Sequence, residues 1–284
     1  MKLIHEINLP DARDMAVSPS GNTVAVCQPG SSRLSIIDAF TGTVLKVISF
    51  SQQPVSVTYS KDGMLAYVIL SGHSIVEFFA SDWRETKRIP YTFLESKIVT
   101  GIDNRRAYCV SNRGVHDIDV VNSTVKSHNI QSPQRSLALS PDNRLLYIVF
   151  SGGVIVFDVE KWEKAFEIRV ESAERISLDP KGKRAYVGLR GFADVKVIDL
   201  SSGELVGSIL SYGHVADITL DMEGLYFFIL TINRANMAVY RIGDEVEKIE
   251  DVTIGSAPDC IVVAPDNRSV YVSNRSVVKK FEML

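Results

Sequence analysis

Apolar and polar positions alternate along most of this chain, in short runs broken by clusters of Gly, Pro, Asp, Asn and Ser. Such alternation marks strands that bury one face, and such clusters mark turns. The longest unbroken apolar run, Met64 to Leu70, falls far short of the ~18 residues a membrane-spanning helix needs. Turn residues flank it, as they would a buried strand. No segment requires a helix. Lys161 to Ile168 has the composition of a helical turn, but its place in the pattern makes it a turn followed by a strand.

The alternation is itself periodic. An apolar-alternating segment, a Pro-Asp-Gly-like turn and a β-rich segment recur as Met15-Ala-Val-Ser-Pro-Ser-Gly-Asn22 and Val57-Thr-Tyr-Ser-Lys-Asp-Gly63. They return as Leu137-Ala-Leu-Ser-Pro-Asp-Asn143, Ile176-Ser-Leu-Asp-Pro-Lys-Gly182, Ile218-Thr-Leu-Asp-Met-Glu-Gly224 and Ile261-Val-Val-Ala-Pro-Asp-Asn267. A degenerate copy, Ile98-Val-Thr-Gly-Ile-Asp-Asn104, fills the remaining gap. Successive copies start 39 to 43 residues apart, the period of propeller blades. After each turn an aromatic holds the matching place (Tyr67, Tyr108, Tyr147, Tyr186, Phe228, Tyr271), with Ala25 the exception. An aromatic on a half-buried strand contributes large apolar area between stacked sheets. A third strand follows, often ending in Asp as at Asp38, Asp158 and Asp199, and then a more amphipathic fourth such as Val44 to Ile48.

Each unit thus predicts a four-stranded antiparallel meander. The last unit supplies three strands, and Lys2 to Leu9 reads as the missing fourth. Pairing it with the last unit closes a ring and leaves no open edge between terminal blades. The expectation is an all-β, seven-bladed β-propeller: one domain over residues 1–284, with the N-terminal strand completing the last blade.

The repeats resemble those of the YVTN-type, WD40-like propeller family. The resemblance rests on Leu139-Ser-Pro-Asp-Asn-Arg-Leu-Leu-Tyr-Ile148, Val263-Ala-Pro-Asp-Asn-Arg-Ser-Val-Tyr-Val272 and Ser35-Ile-Ile-Asp-Ala-Phe-Thr-Gly42. It covers almost the whole chain, with blades three and six the poorest fits; the Gly-His and Trp-Asp signatures of WD40 blades are missing. This group includes redox-enzyme subunits, lyases, lactonases and scaffolds, so the resemblance implies a fold more than a function.

Composition narrows the field. The net charge is −3, from 31 basic and 34 acidic residues, which argues against a nucleic-acid or anionic-membrane surface. Met1 to Ile7 carries no apolar stretch of secretory length, so the expected location is the cytoplasm unless a leader has been removed. Cys27, Cys109 and Cys260 stand far apart and form no disulfide framework or metal motif; they are expected to be buried, reduced thiols. The five histidines are scattered, without a His-Glu-x-x-His spacing, and neither a P-loop nor a Gly-x-Gly-x-x-Gly motif is present. No cofactor, metal or catalytic residue is therefore assigned.

Candidate chemistry comes from placing residues on the ring. In propellers the first strand of each blade lines a central channel. The loops leading into it share one face with the loops between second and third strands. Loops on a rigid scaffold carry function, so this mouth face is the expected binding surface. The first group of loops brings Arg13, Asp14, Lys97, Arg135, Glu174, Arg175, His214, Asp217 and Asp259 there, and the second adds His73, Arg113, Arg190, Asn233 and Arg275. Arginine's planar fork of donors suits carboxylate and phosphate groups. Two outcomes are open: the charges pair with one another around a wet channel, or they receive a partner's charged segment or a small anionic ligand.

The first functional expectation is a non-enzymatic scaffold for another protein. The alternative is a lyase or lactone hydrolase, which requires a histidine and a carboxylate to converge among His73, Arg175, His214 and Asp217. A third class is a supporting subunit of a redox assembly. The chain lacks the Cys-x-x-Cys-His motif of covalent haem attachment.

Overall fold

The computed structural model describes residues 1–130, 134–243 and 245–283. Among these, twenty-eight strands form seven four-stranded antiparallel sheets. The innermost strands are β2 (Met15–Val17), β6 (Pro54–Tyr59), β10 (Glu95–Thr100), β14 (Gln134–Leu139), β18 (Ala173–Leu178), β22 (Val215–Leu220) and β26 (Cys260–Val263). Each touches the next around the ring, and β26 returns to β2. The blades start where the repeat predicts.

Closure is as expected. β1 (Lys2–Asn8) pairs antiparallel with β28 (Val277–Glu282), from Lys2 opposite Glu282 to Asn8 opposite Val277, with a register slip between Leu3 and His5. Ile7 and Leu9 are buried in one cluster with Val24, Tyr271 and Val278, and so join the first blade to the last. The segment around Lys161 is a turn leading into β17 (Glu163–Arg169), with Trp162 in the left-handed region at φ 58°. One helical element was not anticipated: a single 3-10 turn at Pro29–Ser31, where proline's fixed φ and missing N–H suit the start of a short helix.

The recurring phrase of the repeat is explained by local chemistry. The six aromatics after the turns are all buried and fill the spaces between neighbouring sheets. The aspartates ending the third strands cap the following turn. Asp38 Oδ1 accepts the N–H groups of Phe40 and Thr41; Asp119, Asp158 and Asp199 repeat the arrangement. Those bonds favour the ionised form, so Asp38, Asp119 and Asp158 are held below the ordinary carboxylate value.

On the opposite, turn face, asparagine does double duty. Asn104, Asn143 and Asn267 occupy the left-handed position of their turns, which asparagine tolerates. Their side-chain oxygens accept N–H groups from the preceding blade: Lys61, Ile102 and Met222 respectively.

Candidate functional site

The channel mouth is built by the first residues of the innermost strands. In β6, β10, β14, β18 and β22 the pairing register slips at the second residue. A bulge of this kind re-aims a side chain, so two consecutive residues of a strand can line one opening. Glu174 and Arg175 do so here. The resulting cavity of about 370 Å³ is lined by Arg13, Asp14, Lys97, Arg135, Glu174, Arg175, Asp217, Asp259 and Cys260, together with Val55. Eight of the fourteen residues expected on this face therefore converge.

Much of their bonding is structural. Asp14 Oδ2 accepts the hydroxyl of Ser56 at 2.7 Å and the Val57 N–H at 3.0 Å, tying the first blade to the second. Ser56 Oγ in turn accepts the Ile98 N–H of the third blade at 3.3 Å. Asp217 Oδ2 accepts the Ile261 N–H of the seventh at 3.1 Å. These bonds between blades were not anticipated, because a carboxylate's partner forty residues away leaves no local signal.

The charges also pair among themselves. Arg135 Nη1 lies 2.8 Å from Glu174 Oε2, and Arg175 lies 3.5 Å from Glu174 and 3.8 Å from Asp217. Lys97 Nζ stands 3.7 Å from Asp14 Oδ1 and makes no hydrogen bond among the described residues. Burial works against its ammonium, but the carboxylates of Asp217 and Asp14 outweigh that and hold Lys97 above its ordinary value. Asp259 behaves oppositely: burial pushes its carboxyl up despite Arg13 and Arg275 nearby. Arg275 reaches it from outside the cavity lining, Nε to Oδ2, at 3.6 Å.

The other five expected residues lie apart from the cavity. His73, Arg113, Arg190, His214 and Asn233 sit on exposed loops. His73 Nδ1 faces Ser74 Oγ at 3.2 Å, and the His214 N–H donates to Asn233 Oδ1 at 2.8 Å. The N–H groups of Arg113 and Arg190 donate to Ser111 and Ser172. None of the five histidines lines the cavity among the described residues, so the histidine–carboxylate pair that a lyase or hydrolase requires is not assembled there. Cys260 Sγ lies 3.9 Å from Asp14 Oδ1. Burial pushes its thiol well up, and Asp217 adds to the effect. Cys27 is raised in the same way, by burial and then by Asp14. Both are therefore protonated, poor nucleophiles.

Comparison with solved structures decides the architecture. A chain of the mitotic checkpoint complex matches with TM-score 0.88 at 14% identity, over 99% of this chain and 92% of that one. Hydrazine synthase of Kuenenia stuttgartiensis matches with TM-score 0.87 at 16% identity, over 97% and 96%. The Cps50 (Swd1) β-propeller domain of Myceliophteria thermophila matches with TM-score 0.85 at 10% identity, over 98% and 98%. The fold is a seven-bladed β-propeller. At these identities the likeness concerns the propeller alone, not its ligands. No protein-family model matches the chain, and no curated protein matches it either.

The mouth face carries one feature outside the channel. Where the fifth and sixth blades meet, Phe192, Leu210, Tyr212 and Ile232 are 56%, 57%, 46% and 52% exposed. Backbone bonds hold their loops together: Ser211 N–H to Ala193 O at 2.8 Å, and Ile232 N–H to His214 O at 2.9 Å. The Arg234 guanidinium stacks 5.5 Å from the centre of the Tyr212 ring. Neither Arg190 nor Arg234 forms a salt bridge among the described residues. Sequence reading missed this rim because its four apolar residues are spread over three separate loops and strand ends.

Proposed function

We propose that this propeller is a non-enzymatic scaffold that presents its mouth face to a partner protein. The observation that carries the reading is the rim of Phe192, Leu210, Tyr212 and Ile232, with Arg190 and Arg234, which form no salt bridge among the described residues, on the same loops. A contiguous exposed apolar spot rimmed by polar residues marks interaction sites, and interfaces are enriched in aromatics and arginine. The channel mouth completes the surface. Lys97, whose nearest carboxylate oxygen stands at 3.7 Å, suits an acidic side chain of the partner or a small anionic ligand. Two of the neighbours named above, the Swd1 propeller domain and a chain of the mitotic checkpoint complex, support a binding role by analogy. The repeat phrase supports YVTN-type as the finer family.

The test is co-purification from the cell that makes the protein. The double substitution Phe192→Asp with Ile232→Asp should lower capture of the partner at least ~10-fold. The melting temperature should stay unchanged, since both side chains are exposed. Met64→Asp on the turn face serves as control and should leave capture intact. Loss with Met64→Asp but not with the rim variant would place the interface on the wrong face.

A further inference from the structure

Seams between blades are closed on the turn face by a recurring lysine. Lys46 of the first blade donates to Asp82 O at 2.6 Å and Trp83 O at 3.2 Å in the second. Lys87, on the matching fourth strand of the second blade, donates to Val120 O in the third; at the seam of the seventh blade with the first a lysine of the third strand, Lys280, donates instead to Ala39 O at 2.8 Å. At the seam between the third and fourth blades the corresponding residue is Lys126. It makes no hydrogen bond among the described residues; its ammonium stands 5.4 Å over the Trp162 ring instead. A cavity of about 720 Å³ lies along this seam.

Beneath Lys126 are two polar groups without hydrogen-bond partners among the described residues. Asp117, with its side chain 4% exposed, gives Oδ2 to Arg106 and leaves Oδ1 unbonded. Trp162, 8% exposed, leaves its indole N–H unbonded. For the carboxylate, the second blade shows that this state is not imposed by the fold. Its matching carboxylate, Glu77, accepts the Thr86 hydroxyl at 2.6 Å and pairs with Lys87 at 3.4 Å. Asp117 is one methylene shorter, and Lys126 is turned away. A buried polar group left unpaired costs about 1–3 kcal/mol, and a ligand that pairs it recovers that energy.

We propose that the seam between the third and fourth blades binds an amide group, which donates N–H to Asp117 and accepts at its carbonyl from the Trp162 indole. One neutral group supplies both the missing donor and the missing acceptor. A bare cation would meet Arg106, Lys126 and Arg144, and a bare anion would meet Asp103, Asp117 and Glu160, all on the cavity wall. The side chains that cover the two buried groups, Arg106 and Lys126, are exposed and long, so they can swing aside to admit the ligand. The amide belongs either to a peptide backbone or to a side-chain carboxamide. This site is on the turn face and does not depend on the rim described above.

The chain holds two tryptophans, so an ¹⁵N-labelled sample gives two indole resonances, and Trp83 is an internal control. Trp83 also has an unpartnered indole N–H, but its seam is closed by Lys46. Two probes are titrated: N-acetylglutamine methylamide, and N-acetylalanine methylamide, which has backbone amides only. The Trp162 resonance should move saturably while that of Trp83 stays still. Saturation with the glutamine probe alone assigns a side-chain carboxamide; saturation with the alanine probe assigns the backbone. Asp117→Asn should weaken binding at least fivefold. If Trp162 does not respond to either probe, or both indoles drift together without saturating, the proposal is overturned, and the wild-type titration decides this without any variant.

Discussion

Removing residues 2–9 is expected to abolish the single cooperative unfolding transition, or to lower its midpoint by more than 10 °C. The deletion strips the outer partner from β28 and takes Ile7 and Leu9 out of the cluster that joins the first and last blades. It also removes the ion pair of Lys279 with Glu6 at 3.3 Å. Loss of one such buried aliphatic typically costs about 2–5 kcal/mol. Two of them, with a strand's worth of ladder bonds, rival the 5–15 kcal/mol that stabilises a typical domain. The bared β28 edge is also a template for association with other chains, so the truncated protein should aggregate at low micromolar concentration. A peptide of residues 1–12 added in trans should restore the transition. A truncated chain melting at the full-length temperature would show that the latch is dispensable.

Between pH 6.5 and 5 the protein should lose on the order of 2 kcal/mol of stability through His116 alone. Its Nδ1 and Nε2 each lie 2.8 Å from a serine hydroxyl, of Ser127 and Ser111. The ring stacks on Phe93 at 4.2 Å and meets Tyr91 edge-on at 5.2 Å. Burial pushes its pKa down to about 4. In the unfolded chain the ordinary value of 6.5 applies, so below that pH the unfolded state binds a proton that the folded state refuses. The contribution is fully present above pH 6.5 and is lost as pH falls toward 4. Urea midpoints at pH 7 and pH 5 read it directly. His116→Phe should flatten the difference between the two, whereas an equal pH dependence in variant and parent would mean the ring is already protonated or exposed.

The ring was legible because its causes are local and repeated. The Pro-Asp-Asn turns need asparagine at a left-handed position, the strand-ending aspartates cap turns, and the tyrosines fill blade seams, so each blade writes the same phrase. The channel mouth was legible where position alone decides it. Arg13, Asp14, Lys97, Arg135, Glu174, Arg175, Asp217 and Asp259 lie at or just before the starts of innermost strands and line the cavity there. His73, Arg113, Arg190 and Asn233 share the face but not the cavity, because their loops join second and third strands on the exposed rim, whereas His214 directly precedes β22 but is exposed and outside the cavity lining. What stayed hidden depends on partners distant in sequence. The bond from Asp14 to Val57, the backbone bonds that join the loops of Phe192, Tyr212 and Ile232, and the Oδ1 of Asp117 left unbonded among the described residues all arise only after the chain has folded. Nothing about Asp117 in the sequence distinguishes it from the capping Asp119 two residues on.

The claim that the mouth face is the working surface is tested most directly by site-specific photo-cross-linking in the native cell. A photoreactive benzophenone amino acid replaces Tyr212 on the rim or Met64 on the turn face, both exposed. Irradiation should yield a discrete higher-mass adduct from position 212 and none from position 64. An adduct from position 64 alone would contradict the account.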